Sequence, residues 1–269
     1  ENELVPYYQE ALKMLGTAKT PKLFDGDIGL KKVAKKLNME DKFDATNVAI
    51  YFGEENVTKD DPYFEGMGPK RTGCNFCGAC MTGCRNNSKN TLDKNYLYLA
   101  QKYGAEILSE NEVYDVRPTQ TTDGANGYEI AIKTSTKFFT KRKKIKSKAV
   151  IFSGGVLGTI KLLLKLKTTS LPHISDRLGL DIRTNNETLV SVSSLEKNKN
   201  YSKGVAIGSI LDTDENSHLE ICRYSEGSNA WKLLHLPYVT GRNIFSRLAK
   251  VVVSLIKSPI TYFKIYFVN

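Results

Sequence analysis

No stretch of this sequence is apolar for long enough to cross a bilayer as a helix. The longest aliphatic runs, such as Val251–Val253 and Leu162–Leu164, fall far short of the roughly 20 residues needed. Periodic repeats, collagen-like patterning and low-complexity tracts are also absent, which excludes solenoids and fibres. Histidine is scarce: His173, His218 and His235 are the only three, and none has the spacing of a metal site or a catalytic triad. Each reads as a surface or a satisfied core residue. The pattern G-x-G-x-x-G occurs nowhere, so the usual first phosphate-binding turn of a dinucleotide fold is missing. The first residue is Glu1 with no charged-then-apolar leader after it, and the chain stops within the apolar-aromatic run before Asn269. Both ends are expected to be cut.

What is present is globular. Apolar residues make up 41% and charged residues 25% of 269, enough for one or two domains with a core that needs no disulfides. Lys and Arg number 39 against 29 Asp and Glu, a net +10 that suits an anionic partner or simply a solvated surface. The basic run Lys141-Arg142-Lys143-Lys144 falls near a hairpin edge, where positive charge also blocks edge pairing. Lysines and aromatics are not gathered on one face, so nucleic acid is not expected as a partner.

Periodicity predicts a helix over 4–15 stopped by Gly16, and a shorter one carrying Leu30, Val33, Ala34 and Leu37. Val48, Ile50 and Phe52 alternate as in a half-buried strand, and 54–73 reads as an exposed loop. Asn90 or Thr91 can cap a helix with Leu92, Tyr96, Leu99 and Tyr103, closed by Gly104. Short strands are expected at Ala105–Leu108, Val113–Arg117, Tyr128–Lys133 and Lys137–Lys146, with turns at Asp123-Gly124 and Asn126-Gly127: a β-meander. Ala149–Phe152 is continuously apolar, as a strand buried on both faces would be. A helix with Ile160, Leu163, Leu164 and Leu166 follows, ended by Pro172, and 188–223 returns to alternation. Residues 241–268 combine a basic amphipathic helix with an aromatic strand or helix, suited to a membrane surface or to covering a core.

Two local patterns carry chemistry. Cys74, Cys77, Cys80 and Cys84 are spaced C-x2-C-x2-C-x3-C, the run that wraps a cubane iron–sulfur cluster. Arg85 stands where the bacterial ferredoxin run has proline, and there is no second run. Zinc normally takes a longer spacer between C-x2-C pairs, and disulfides between such close neighbours are strained. Cluster, zinc and metal-free thiols all remain open on spacing alone. The second pattern is Val150-Ile151-Phe152-Ser153-Gly154-Gly155-Val156-Leu157-Gly158, which leads through glycines into a helix. Such a turn lets backbone approach a nucleotide; by itself it also serves as a packing turn.

In order along the chain, Arg71-Thr72-Gly73-Cys74, Gly78-Ala79-Cys80-Met81-Thr82-Gly83-Cys84-Arg85, Lys89-Asn90-Thr91-Leu92 and Asn95-Tyr96-Leu97 resemble a block of the glucose–methanol–choline (GMC) flavin oxidoreductases, in their cholesterol oxidase-like branch. Phe152–Thr159, Leu171-Pro172, Ser175–Gly179 and Asn185-Asn186-Glu187 continue the resemblance, which is densest from 71 to 195. It implies an α/β (α+β) fold in which an FAD-binding Rossmann-like domain with a β-meander is interleaved with a mixed-sheet substrate domain. Residues 1–70 would be a helical cap part of the substrate domain, 71–168 part of the FAD-binding domain, and 169–269 part of the substrate-binding domain.

The same resemblance implies FAD as cofactor, with the Val113 backbone at its adenine end and Ser153, Gly154 and Gly155 lining the nucleotide. Glu220 aligns with an acidic residue that some steroid-oxidising members use as a base. The reaction implied is oxidation of an alcohol carbon, in a sterol or another apolar alcohol, with a base taking the hydroxyl proton and hydride passing to flavin. The family's glycine fingerprint and its catalytic histidine segment are both missing, so an internal fragment of about half an enzyme is expected. An iron–sulfur cluster at Cys74–Cys84 would favour an electron acceptor other than oxygen. Peripheral membrane contact, and a cytoplasmic or membrane-surface location, complete the expectation. The rivals are a ferredoxin-type iron–sulfur electron carrier and a basic zinc module.

Overall fold

The computed structural model describes residues 2–183, 185–194, 196, 198–228 and 236–268; His235 and Leu195 lie outside them. The chain forms two units, Glu1–Ala105 with Val190–Asn269, and Glu106–Leu189. The architecture is mixed α/β with several small sheets, and every ladder between strands is antiparallel among the described residues.

In the first unit the helix Val5–Leu15 carries Pro6 in its first turn. It stops at Gly16, whose left-handed φ of 56° lets its N–H reach the Leu12 and Lys13 carbonyls. The next helix, Asp25–Lys36, begins earlier than its apolar residues suggest. Asp25 and Asp27 occupy its first turn and Lys35 and Lys36 its last, both signs matched to the helix dipole. Leu30 and Ala34, one turn apart, are buried against Leu211, Met39, Phe43 and Ile221. Leu211 lies on the central strand of the sheet ordered His218–Glu220, Ser209–Asp212, Phe43–Ala45.

The alternation at 48–52 yields only the strand Asn47–Val48, paired with Ala18–Lys19. Beyond it the backbone is claimed by the cysteine loop: Tyr51 N–H donates to the Ser88 carbonyl and Cys74 N–H to the Tyr51 carbonyl. The helix expected from Asn90 to Gly104 is broken in two. A 3₁₀ turn, Leu92–Lys94, is followed by the helix Tyr96–Lys102, and buried Asn95 between them accepts the Tyr96 N–H at 2.6 Å.

Alternation over 188–223 becomes only two short strands, Ser209–Asp212 and His218–Glu220, among the described residues. At the other end, Asn243 caps the helix Ile244–Lys257 through a reciprocal pair with Ser246. The segment after Pro259 is helical rather than extended, as Pro259–Phe263. Ile244, Leu248 and Val252 stay exposed, so this helix covers no core in the described residues. Among the described residues no helix is long and apolar enough to cross a membrane.

The second unit is built on the expected meander, Asn111–Pro118, Tyr128–Thr134 and Arg142–Ser147. Gly124 and Gly127 turn the first hairpin with φ of 79° and 85°. The first strand bulges between Val113 and Asp115. The helix Val156–Lys167 lies in the same unit, with Leu166 buried, Lys165 Nζ donating to the Tyr114 carbonyl at 2.8 Å and Ser170 Oγ to Asp115 Oδ1 at 2.8 Å.

Two expected strands do not form and a third is shortened. Ala105–Leu108 is irregular, and the last meander strand starts at Arg142, leaving Phe138 and Phe139 exposed and touching each other. Ala149–Phe152 is not a buried strand: Ile151 is 89% exposed. A strand buried on both faces needs neighbours for its backbone groups, and no described strand pairs with this one. The helix after it ends at Lys167 by ordinary αR closure at Thr168, ahead of Pro172.

The first unit is tied together by one buried ion pair, Arg223 Nη2 to Asp27 Oδ1 at 2.7 Å, with side chains 3% and 1% exposed. Asp27 also accepts the Phe24 N–H and the Ser209 hydroxyl, and Arg223 donates to the Lys203 carbonyl. Removing Asp27 leaves a buried guanidinium unpaired. Asp27→Ala should therefore cost roughly 3–5 kcal/mol in urea unfolding of the full-length protein, while Asp27→Leu with Arg223→Met recovers much of that loss. An unchanged midpoint in the single variant would remove the pair from its structural role.

Candidate functional site

The cysteine loop begins where Arg71–Thr72 pairs with Thr58–Lys59. Arg71 is 1% exposed and spreads its guanidinium over three acceptors: Nε to Asn90 Oδ1 at 2.9 Å, Nη1 to Asn87 Oδ1 at 2.7 Å, and Nη2 to the Lys89 carbonyl at 2.6 Å. Burial pushes its pKa down. Asparagines close the other side: Asn86 donates to the Gly73 carbonyl, Asn87 to Lys70 and Asn90 to Leu15. The loop has almost no ladder of its own, so side chains satisfy its backbone.

Phe76 sits at a left-handed φ of 57°, which is unusual for a bulky residue. Its ring lies 5.3 Å from that of Phe24 and 5.8 Å from that of Phe52, in a core shared with Ile50, Cys74 and Val205. The next turn is clamped to the 202–206 segment. Gly204 N–H donates to the Phe76 carbonyl and Gly78 N–H to the Gly204 carbonyl. A Cβ on Gly78 would stand 2.0 Å from the Ser202 carbonyl oxygen, so only glycine fits.

This clamping gathers Cys74, Cys77, Cys80 and Cys84 around one pocket, together with Ser88 and Lys89. Cys74 is buried, Cys77 exposed, and Cys80 and Cys84 half-buried; all four are free thiols. Burial pushes the Cys74 thiol up to about 11, against the Phe76 N–H that donates to its sulfur. Burial raises Cys80 too. At Cys84 burial is the largest single influence, yet the Lys89, Ser88 and Asn86 amides together outweigh it and hold the thiol below its usual value. Among the described residues no three His, Cys, Asp or Glu side chains are arranged to hold one metal ion.

The other expected site residues lie apart from this pocket. Val113 is on the bulged meander strand, paired with Ile132. Ser153, Gly154 and Gly155 form an exposed turn before the helix Val156–Lys167, in the same unit as Val113. Gly155 has φ 87° and ψ 149°, a conformation left to glycine, and a Cβ there would meet nothing within 4 Å. No side chain caps the helix amides at this end. Ile151 and Leu157 are almost fully exposed beside it. Glu220 belongs to the other unit, exposed at the end of an edge strand, with Oε1 3.6 Å from His218 Nε2.

Sequence reasoning assigned no role to Asp27 or Arg223, and saw Arg71 and Asn95 only as letters in a resembling block. The acidic first turn of the helix at Asp25 was the one local signal for Asp27.

A sequence profile described as GMC oxidoreductase matches residues 30–181. The chain is 41% identical over 271 residues to a protein named cholesterol oxidase from Acinetobacter baumannii, covering 98% of this chain and 49% of that one. It is 38% identical over 241 residues to a cholesterol oxidase of Mycobacterium tuberculosis H37Rv, covering 86% and 41% respectively. The chain thus spans about half the length of the curated relatives it matches. No solved structure matches it. Nothing here supports a free-standing ferredoxin-type carrier, since the profile match runs far beyond the cysteine run on both sides.

The fork geometry at Arg71 makes a conservative change informative. Lysine keeps the charge but offers a single point donor in place of three diverging bonds. Arg71→Lys should lower the unfolding free energy by about 2–4 kcal/mol and raise amide exchange over Asn86–Asn90, read by hydrogen–deuterium exchange mass spectrometry. Wild-type protection in that segment would show that the fork is dispensable.

Proposed function

The chain belongs to the GMC oxidoreductase family, and on that premise we propose that the protein oxidises an alcohol carbon of a sterol or similar apolar alcohol with FAD. The observation that carries the cofactor assignment is the open turn Ser153-Gly154-Gly155. A Cβ at Gly155 would meet no neighbour although its φ of 87° favours glycine, and the turn leads directly into an uncapped helix N-terminus. Amides at such an end favour anionic or polar groups, and the apolar Ile151 and Leu157 beside them suit a flat ring or an apolar neighbour. These residues fit a nucleotide cofactor.

Bound FAD supplies a hydride acceptor. The chain's own residues supply position. Gly154 and Gly155 keep side chains away from the nucleotide, Ser153 offers a hydroxyl, and the Val113 backbone, at a bulge that frees part of the ladder, offers hydrogen-bonding groups for the adenine end. Glu220 is the carboxylate put forward as a proton acceptor for the substrate hydroxyl, with His218 beside it to receive or relay that proton. The domain assignment follows: 71–168 with the cofactor, 1–70 and 169–269 with the substrate. Sterol as substrate rests on the names of the relatives, and the electron acceptor is oxygen or a separate carrier.

Gly155→Val in the full-length protein places a branched side chain at φ 87° on the face assigned to the nucleotide. Bound flavin, measured by absorbance after desalting, should fall at least about tenfold, while far-ultraviolet circular dichroism stays close to wild type. Full retention of flavin would mean that the turn is only structural. Incubation with cholesterol should yield the 3-keto product, and Glu220→Gln should reduce kcat more than it alters KM.

A further inference from the structure

We propose that the second hairpin loop of the meander, residues 135–140, docks the protein on an anionic lipid surface, with Phe138 and Phe139 entering the interface and the basic residues around them meeting the headgroups. The proposal goes beyond the oxidation reading and uses none of its residues.

The loop is built to present its tip. Its base is closed where Thr134 N–H donates to the Lys141 carbonyl and Lys141 N–H to Thr134 Oγ1, each at 3.0 Å, and Ser135 N–H is fixed to the Glu110 carbonyl at 2.9 Å. Beyond that base Phe138 is 96% and Phe139 83% exposed, and their rings meet edge to face with centroids 5.2 Å apart. Leaving two adjacent phenylalanines in water forfeits the burial such side chains ordinarily gain on folding. The hairpin does not need them, because the ladder of Tyr128–Thr134 with Arg142–Ser147 holds its strands.

The charge around the rings has one sign. Every charged residue from 133 to 148 is basic. Lys137 and Lys141 flank the rings, and Arg142, Lys143 and Lys144 follow them, all exposed. Among the described residues of this run, Lys133 pairs with Glu112 and Lys144 with Glu129, while Lys137, Lys141 and Lys143 have no carboxylate within ion-pair reach. Charge on the edge strand Arg142–Ser147 protects it from pairing with another strand, but that leaves Lys137 and the bare rings unexplained.

The occupant follows from the combination. A bilayer interface offers apolar depth and negative charge in the same place, and about four to eight Lys or Arg beside an apolar element suffice to seek anionic headgroups. Ser135, Thr136 and Thr140 are uncharged, so entry of the rings to headgroup depth buries no carboxylate. A protein partner would have to cover the rings and also supply carboxylates along the whole run. Single-stranded nucleic acid is held in a charged groove with its bases stacked on ring faces, whereas these rings stand out from the surface at 87° to each other.

The test is co-sedimentation of the full-length protein with vesicles of phosphatidylcholine alone and of phosphatidylcholine with phosphatidylserine at roughly 3:1. Binding to the phosphatidylserine vesicles is expected, weakening as salt rises, and at least about tenfold tighter than to phosphatidylcholine alone. Phe138→Ser combined with Phe139→Ser should weaken it at least about tenfold, and so should Lys137→Gln, Lys141→Gln and Lys143→Gln together. Both variants should keep wild-type circular dichroism and flavin content. Phe138→Trp should add tryptophan emission that brominated acyl chains quench. Absence of binding to phosphatidylserine vesicles at low salt, binding that survives the loss of both rings, or added emission that resists quenching overturns the proposal. So does a phenylalanine-dependent affinity for a single-stranded oligonucleotide that exceeds the affinity for vesicles. None of these outcomes bears on the flavin reading, which is measured by flavin retention and product.

Discussion

The buried pair between Asp27 and Arg223 is the constraint on which the first unit depends. Asp27 stands in the first turn of one helix and takes hydrogen bonds from Ser209 on the sheet and from Phe24 before the helix. Arg223 passes the connection on to the Lys203 carbonyl. The neighbouring residue, Gly204, then holds the cysteine loop through Phe76 and Gly78. A charge placed in low dielectric is expensive unless every partner is present. The geometry of helix, sheet and loop is therefore set together. Gly204 and Gly208 are part of the same constraint, because a Cβ on Gly204 would stand 1.8 Å from Arg223 Nη1 and one on Gly208 2.8 Å from Asp27 Oδ1.

Arg71 plays the corresponding part inside the loop. The segment from Gly73 to Asn95 contains little more than two 3₁₀ turns, yet most of its polar groups have partners. Arginine and asparagine side chains replace the missing ladders, each reaching a carbonyl that a strand would otherwise have satisfied. Such a scaffold positions thiols more firmly than its irregular backbone suggests. It also explains why the alternation around Ile50 produced so short a strand: the donors and acceptors of that stretch are spent on the loop.

The second unit follows different physics. Its meander is local, made of neighbours in sequence joined by glycine turns, and the helix Val156–Lys167 is anchored to it through Leu166, Lys165 and Ser170. The turn at Gly154-Gly155 is left with exposed backbone and with exposed apolar flanks at Ile151 and Leu157. The cysteine pocket and the glycine turn thus lie in separate units, each with its own supporting contacts.

By itself the sequence determined what depends on neighbours. The helix to Leu15 and its Gly16 stop, the meander with its Asp123-Gly124 and Asn126-Gly127 turns, and the helix after Gly155 are all dictated by periodicity and by the φ preferences of single residues. The cysteine spacing and the family block were legible for the same reason, being fixed offsets along the chain. Tertiary structure decided whatever required a distant partner. The pairing of Asp27 with Arg223, the three acceptors of Arg71, the break of one helix at Asn95 and the gathering of four thiols around one pocket have no local signal. Ala149–Phe152 shows the limit from the other side: its apolar letters suit a buried strand, but a strand exists only where another backbone accepts its hydrogen bonds.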